Sequence, residues 1–141
     1  MSQLEPYLFF NGNCAEAMRF YEKALGGKLE MMMKASEAPA GSGGGCPGAD
    51  PDAVMHACVM VEGRRLMASD WMSPEPYPGI NGVSISLVYP TVEEAKRKFE
   101  ALAAGGKVLM PLEKTFWVEA FGMLTDKYGA NWMVNGGKPA H

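Results

Sequence analysis

An imidazole, a hydroxyl and a carboxylate fall within residues 55–70, where proton-transfer chemistry could be assembled. His56 is the only histidine besides the terminal His141, and a side chain that titrates near neutrality can act as a general base. Ser69 or Asp70 could fix its tautomer. The competing reading is a histidine hydrogen-bonded into a sheet for packing, with Asp70 as a turn-former at the start of a Pro-rich connector. The run at residues 55–61, the pair Glu62-Gly63 and the run at 64–69 spell a hairpin with a two-residue turn. That turn sets Val61 opposite Arg64, Val59 opposite Leu66, Ala57 opposite Ala68 and His56 opposite Ser69. One face then carries Ala57, Val59, Leu66 and Ala68 and suits a helix. The other carries His56, Cys58, Met60, Met67 and Ser69 and is the candidate cavity wall.

Further candidates lie outside the hairpin. Trp71 and Trp117 could stack on a flat ligand, or pack in a core or dimer contact. Glu119 could supply an acid at a strand entrance, or be an exposed edge carboxylate. Asp126 and Gly129 read as parts of a tight turn. Asn131, Met133 and Asn135 share a strand face, with Trp132 packed behind. The cysteines Cys14, Cys46 and Cys58 are odd in number and lack C-x-x-C spacing, so they read as reduced thiols rather than a disulfide framework or a zinc site. Twelve methionines suit an adaptable apolar cavity, with ordinary core filling as the favoured alternative.

The elements that must position these groups come in two copies. Glu16, Ala17, Arg19 and Glu22 recur at an offset of 78 residues as Glu94, Ala95, Arg97 and Glu100, Tyr21 recurs as Phe99, and Gly26-Gly27-Lys28 recurs one residue further on as Gly105-Gly106-Lys107. Each copy reads as strand, helix and three strands. A strand at residues 7–10 precedes a helix whose stripe is Cys14, Ala17, Met18, Tyr21 and Leu25, with Asn13 as N-cap and Glu16 completing a capping box. Thr91 and Glu94 repeat that device ahead of Val92, Ala95, Phe99 and Leu102. Leu29, Met31 and Met33 alternate with Glu30, Met32 and Lys34 as a strand. Residues 39–52 are rich in Gly and Pro without the Gly-Lys-Ser/Thr ending of a phosphate loop, and read as a mobile flap. In the second copy, strands are expected at 83–88, 107–112, 119–125 and 131–135, the last two joined by the turn Asp126-Lys127-Tyr128-Gly129.

With 141 residues and 48% hydrophobic content, the chain can bury one sizeable core, so the copies read as modules of a single domain, about 5–70 and 80–137. A net charge of -3 and a pI near 5.4 argue against nucleic acid and anionic membranes as partners. No apolar stretch approaches the roughly 20 residues that span a bilayer, and the N-terminus lacks a signal core, so a cytoplasmic location is expected.

The paired modules resemble the vicinal oxygen chelate superfamily of glyoxalase I, extradiol dioxygenases and the fosfomycin and bleomycin resistance proteins. Tyr7-Leu-Phe-Phe-Asn-Gly-Asn13, Ala17-Met-Arg-Phe-Tyr21, Met55-His56-Ala57, Leu66-Met-Ala-Ser-Asp70, Thr115-Phe-Trp117, Phe121-Gly122 and Asp126-Lys-Tyr-Gly-Ala-Asn-Trp132 are similar to its PhnB-like branch. The resemblance implies an α+β fold in which two tandem βαβββ modules form one domain, with curved mixed sheets around a cleft. It also implies a homodimer in which the neighbouring chain helps close each cleft. The superfamily's metal-ligand positions fall at about Pro6, at Val83 or Ser84, near Met67 and at Met133, and none is a His or a carboxylate. The usual metal site is therefore expected to be absent, leaving a site of His56 with a relocated Asp70 or Glu119 as the alternative. The label 3-demethylubiquinone 3-methyltransferase given to some members of the branch finds no support, because no strand leads through a Gly-rich turn into a helix that could hold a methyl-donor cofactor.

Three functions compete. The first is a protein that binds a small apolar or aromatic molecule with no cofactor, contacting it through Cys58, Met67, Ser69, Trp71, Trp117, Glu119 and Met133. The second is a metal-free isomerase or lyase using His56, assisted by Asp70, Ser69 or Glu119. The third is a metal enzyme with displaced ligands.

Overall fold

The computed structural model describes residues 3–37 and 52–139. Cys46, the expected flap apart from Asp52, and His141 lie outside the described residues. The chain divides into two compact units, Met1–Gly79 and Ile80–His141.

In the first unit β1 (Tyr7–Phe10) leads to α1 (Cys14–Leu25), β2 (Lys28–Lys34), a 3-10 turn (Ala35–Glu37), β3 (Val54–Val61) and β4 (Arg64–Asp70). The sheet order is β1-β4-β3-β2, with β1 parallel to β4 and the other pairs antiparallel. The expected helical stripe is buried, with Cys14, Ala17, Met18, Tyr21 and Leu25 all facing inward, and Ala24 joins it. They meet Ala57, Val59, Leu66 and Ala68, each 5% exposed or less. A fully buried side chain as large as Met18 adds roughly 1.5–3 kcal/mol. The β3–β4 turn places Glu62 at φ 48 and Gly63 at φ 82, as a mirror-image two-residue turn requires. The register is the expected one, Ala57 to Ala68, Val59 to Leu66 and Val61 to Arg64.

The second unit repeats this plan. It contains β5 (Ile85–Tyr89), α2 (Val92–Ala103), β6 (Lys107–Glu113), β7 (Val118–Thr125) and β8 (Asn131–Pro139), in the order β5-β8-β7-β6. Ala95, Phe99 and Leu102 are buried under α2, against a sheet face holding Trp132, Val134 and Leu124. Val92 is only half-buried. Pro111 sits on the edge strand β6, where its missing N–H costs least. The first strand starts two residues later than expected because the Val83 carbonyl accepts the Asn131 side-chain N–H (3.1 Å), and a side chain replaces the ladder there. β8 runs past the expected residue 135 to Pro139.

Two expectations about local geometry are corrected. The alternation in β2 breaks at Glu30: Leu29 pairs with Val59 on the helix side, whereas Met31 and Met33 pair with Cys58 and His56 on the other side. One extra residue in the strand makes this bulge. Asn13 occupies the N-cap of α1, but its side chain makes no capping hydrogen bond. The Cys14 N–H donates instead to Asp70 Oδ1 (2.9 Å). Thr91 caps α2 as expected, its hydroxyl accepting from the Glu94 N–H (3.1 Å). The two helices therefore start by different means.

Candidate functional site

The face of the first sheet turned away from α1 gathers most of the first unit's candidates. Directly paired residues share a face, so the β1–β4 pairs Tyr7 to Met67 and Phe9 to Ser69 continue the rows of Cys58 and of His56 with Met33. The resulting surface carries Tyr7, Phe9, Met67, Ser69, His56, Cys58, Met31 and Met33. Cys58 and Ser69 are buried within it, and the other six are half-buried or exposed.

At its centre the Tyr7 hydroxyl and His56 Nδ1 share a hydrogen bond of 3.0 Å, and their rings stack with centroids 5.6 Å apart. Nδ1 is therefore engaged, and Nε2 is the nitrogen left for other chemistry. Tyr7 also contacts Phe9 (5.3 Å between centroids), and Phe9 meets the edge of Trp71 (5.6 Å). Trp71 is held by its indole N–H donating to the Glu75 carbonyl (2.8 Å), and the Tyr77 hydroxyl donates to the Phe9 carbonyl (2.6 Å). Burial pushes the Tyr77 hydroxyl above its usual pKa range. The result is an aromatic wall running from Tyr7 to Tyr77. Tyr7, Phe9 and Tyr77 are absent from the sequence-derived candidates because strand periodicity cannot say that β1 lies beside β4.

Asp70 stands elsewhere. It follows Leu66 and Ala68 at alternate positions of β4, and so belongs to the helix face rather than the His56 face. Its carboxylate accepts from the Cys14 N–H and, through Oδ2, from the Val54 N–H (2.8 Å), and Asp70 is 3% exposed. It does not orient His56 in this geometry. Ser69 donates its hydroxyl to the Asp70 carbonyl (3.1 Å). Cys14, beside the Asp70 carboxylate, is pushed up to about 12 by burial first and by that negative charge second, so it stays a protonated thiol. The Cys58 thiol is also raised, chiefly by burial; Glu30 and Glu5 add to the shift and Arg65 opposes it.

The second unit presents Met133 on the sheet face opposite α2, paired with Ser86 on β5 and with Met123 on β7. Asn131 and Asn135 lie on that face as expected, but as structural ties. Asn131 accepts from the Thr125 hydroxyl (2.7 Å), and the Asn135 amide donates to the Leu87 carbonyl (3.3 Å). Trp132 is buried behind them, its indole N–H donating to Asp126 Oδ2 (2.7 Å). Trp117 packs edge-on to Phe116 (4.8 Å) and Phe121 (5.3 Å). Glu119 is exposed, and its Oε1 accepts from the Lys138 N–H (2.6 Å).

The residues at the superfamily's metal positions do not suit a zinc-, nickel- or manganese-class ion. Met67 and Met133 offer thioethers, which favour soft ions over divalent ones. Among the described residues, no three His, Cys, Asp or Glu side chains form a metal-holding group.

A strand-helix-three-strand unit built twice, each as a four-stranded mixed sheet with one helix, defines a glyoxalase-like protein. The chain belongs to the Glyoxalase/Bleomycin resistance protein/Dioxygenase superfamily, whose family model matches residues 3–134. It is 41% identical over 138 residues to protein YjdN of Escherichia coli (strain K12), covering 94% of this chain and 93% of that one. Among solved structures, protein PA1353 from Pseudomonas aeruginosa is 47% identical with a TM-score of 0.86, over 97% of this chain and 98% of that one. A PhnB protein from Bacillus cereus, whose name also carries 3-demethylubiquinone-9 3-methyltransferase, is 26% identical with a TM-score of 0.76, over 96% and 100% of the two chains. These neighbours are consistent with the PhnB-like branch. No helix among the described residues is long and apolar enough to cross a membrane.

Proposed function

We propose that the protein binds a small, flat, partly aromatic or apolar molecule on the face of the first sheet opposite α1, with no divalent metal. The observation that carries this reading is the distribution of methionine. Of the eleven described methionines only Met18 belongs to the buried core; the other ten are half-buried or exposed. Of these, Met31, Met33 and Met67 lie on the face opposite α1, where filling of the core beneath the helix does not account for them. Thioethers on a surface beside Tyr7, Phe9 and Trp71 give a deformable apolar lining. The Tyr7–His56 pair supplies one polar anchor, as ligand sites commonly combine a few convergent polar groups with apolar walls. Cys58, Met67 and Ser69 lie under the ligand in this reading, and Trp71 flanks it.

Methyl-selective NMR on 13C-labelled methionine, with a library of flat aromatic fragments as probes, tests this reading. Binders should shift the Met31, Met33 and Met67 methyls and leave Met18 unmoved. Fragments that perturb only other methyls, or none, would sink it.

A second reading is favoured by the hydrogen bond to Nδ1, which leaves His56 Nε2 able to exchange a proton. His56 would then be the base of a metal-free isomerase or lyase step, with Ser69 assisting from the same face and Asp70 contributing only through the fold. A His56→Ala protein that retains a bound compound and loses its turnover distinguishes this from simple binding. Neither helix start offers the Gly-rich turn that seats a nucleoside cofactor, since α1 follows Asn11-Gly12-Asn13 and α2 follows Pro90-Thr91.

A homodimer in the cytoplasm is part of the same proposal. Val108, Leu109 and Met110 are exposed on the edge strand β6, and apolar sheet edges are usually covered. Cys14 and Cys58 are free thiols, which fits a reducing compartment. Light scattering that gives the monomer mass of 15.2 kDa would remove the dimer.

A further inference from the structure

The two sheets carry sulfur at matching places. In the first unit Met31 pairs with Cys58, and Cys58 pairs with Met67, so one row across β2, β3 and β4 holds three sulfur atoms. In the second unit Met110 pairs with Met123, and Met123 pairs with Met133, so the equivalent row across β6, β7 and β8 also holds three. Each row begins just past a one-residue register shift, between Leu29 and Met31 in one unit and between Val108 and Met110 in the other. The row is thus a property of the repeat, kept in side-chain chemistry as well as in backbone register.

We propose that the row Met31–Cys58–Met67 is a binding site for a soft monovalent metal ion of the Cu(I) class. Directly opposite residues on antiparallel strands have Cβ atoms about 4.5–5.5 Å apart, a span that two flexible thioether arms can close around a central sulfur. Thiol and thioether donors select Cu(I) and reject hard divalent ions, so the row differs in kind from a site built on His and carboxylate. The three donors differ usefully in exposure: Cys58 is 6% exposed and Met31 is 40% exposed, which fixes the sulfur that would carry charge and leaves an entry arm in solvent. His56 lies in the next row, beside Met33, within reach of the same face. On binding, the Cys58 thiol gives its proton to solvent and its sulfur forms the metal bond; the ion keeps its oxidation state. The all-methionine row of the second unit has no thiol and is a weaker site for the same ion class.

The test uses the reduced full-length protein under anaerobic conditions, with Ag(I) and Cu(I) themselves as probes. Native mass spectrometry should show one tightly held ion, and competition with a chromophoric Cu(I) chelator gives its affinity. Met31→Leu/Met67→Leu keeps side-chain volume and should lower affinity by more than about tenfold, the scale on which even an outer partner of a metal site acts. Cys58→Ser should do the same. Met110→Leu/Met123→Leu/Met133→Leu should leave the tight site unchanged. Circular dichroism confirms that each variant is folded, and X-ray absorption of the Cu(I) form should report sulfur neighbours. No uptake by the native protein, wild-type affinity in the first two variants, or loss of the tight ion in the third overturns the assignment. This site shares Met31, Cys58 and Met67 with the small-molecule reading but does not rest on it, because fragment binding followed at the Met33 methyl in metal-free protein can fail or succeed whether or not the ion is held.

Discussion

The carboxylate of Asp70, at the end of β4, accepts the backbone N–H of Cys14 at 2.9 Å and so closes the first turn of a helix 56 residues earlier in the chain. Its other oxygen takes the Val54 N–H, so one buried side chain ties α1, β3 and β4 together. Replacing Asp70 with Ala strands two buried donors, each costing about 1–3 kcal/mol. Asp70→Ala is expected to lower unfolding free energy by about 3 kcal/mol or more, with Asp70→Asn intermediate, as measured by urea denaturation. A loss below about 1 kcal/mol would refute the tie.

The two helix starts make opposite forecasts. Thr91→Ala removes a formed cap and should cost about 1 kcal/mol. Asn13→Ala should cost almost nothing or stabilise slightly, because Asn13 Oδ1 is buried without a hydrogen-bond partner among the described residues and its loss relieves desolvation. Thermal melts of the two variants side by side decide this, and equal losses would show that Asn13 caps after all.

Alkaline pH should act through Cys14. Its folded-state pKa of about 12 lies above the ordinary thiol value of 9.0, so the folded state holds the proton more tightly than the unfolded one. This contribution is complete below pH 9 and is lost as pH rises towards 12, by at most about 4 kcal/mol. Cys14→Ala should therefore show a shallower fall in stability than the native protein between pH 9 and pH 11. Parallel slopes in denaturant titrations would refute it.

Close packing of α2 depends on Gly136. A Cβ there would run into the Ala95 side chain and approach the Thr91 carbonyl, and neither backbone can retreat cheaply. Gly136→Ala should destabilise by about 1–3 kcal/mol through overpacking, and Gly136→Ala/Ala95→Gly should recover part of the loss. Additive losses in the double variant would show that the two do not touch.

Tyr7 should behave as a positioning group rather than a stabilising one. Its bond to His56 is exposed, so Tyr7→Phe is expected to change stability by less than about 1 kcal/mol. The same variant should alter the 15N shifts of the His56 ring, because Nδ1 loses its partner and the tautomer balance changes. Unchanged ring shifts would mean that the pair does not form in solution.

The parts of the fold written into local periodicity were legible in the sequence. The stripe from Cys14 to Leu25, the Glu62-Gly63 turn and the partners it aligns, and the duplicated order of elements all follow from spacings of two to four residues and from residues that set turns. Stiff local geometry allows few alternatives at that scale. What only the tertiary structure decided is lateral: β1 lying parallel to β4, which sets Tyr7 beside His56; the shift at Glu30, which moves Met31 level with Cys58; and Asp70 facing α1 instead of the imidazole. Strand alternation says which residues share a face but not which strands are neighbours or where an extra residue slides the register. Those choices are made when the whole sheet closes over its helix and every buried N–H must find an acceptor.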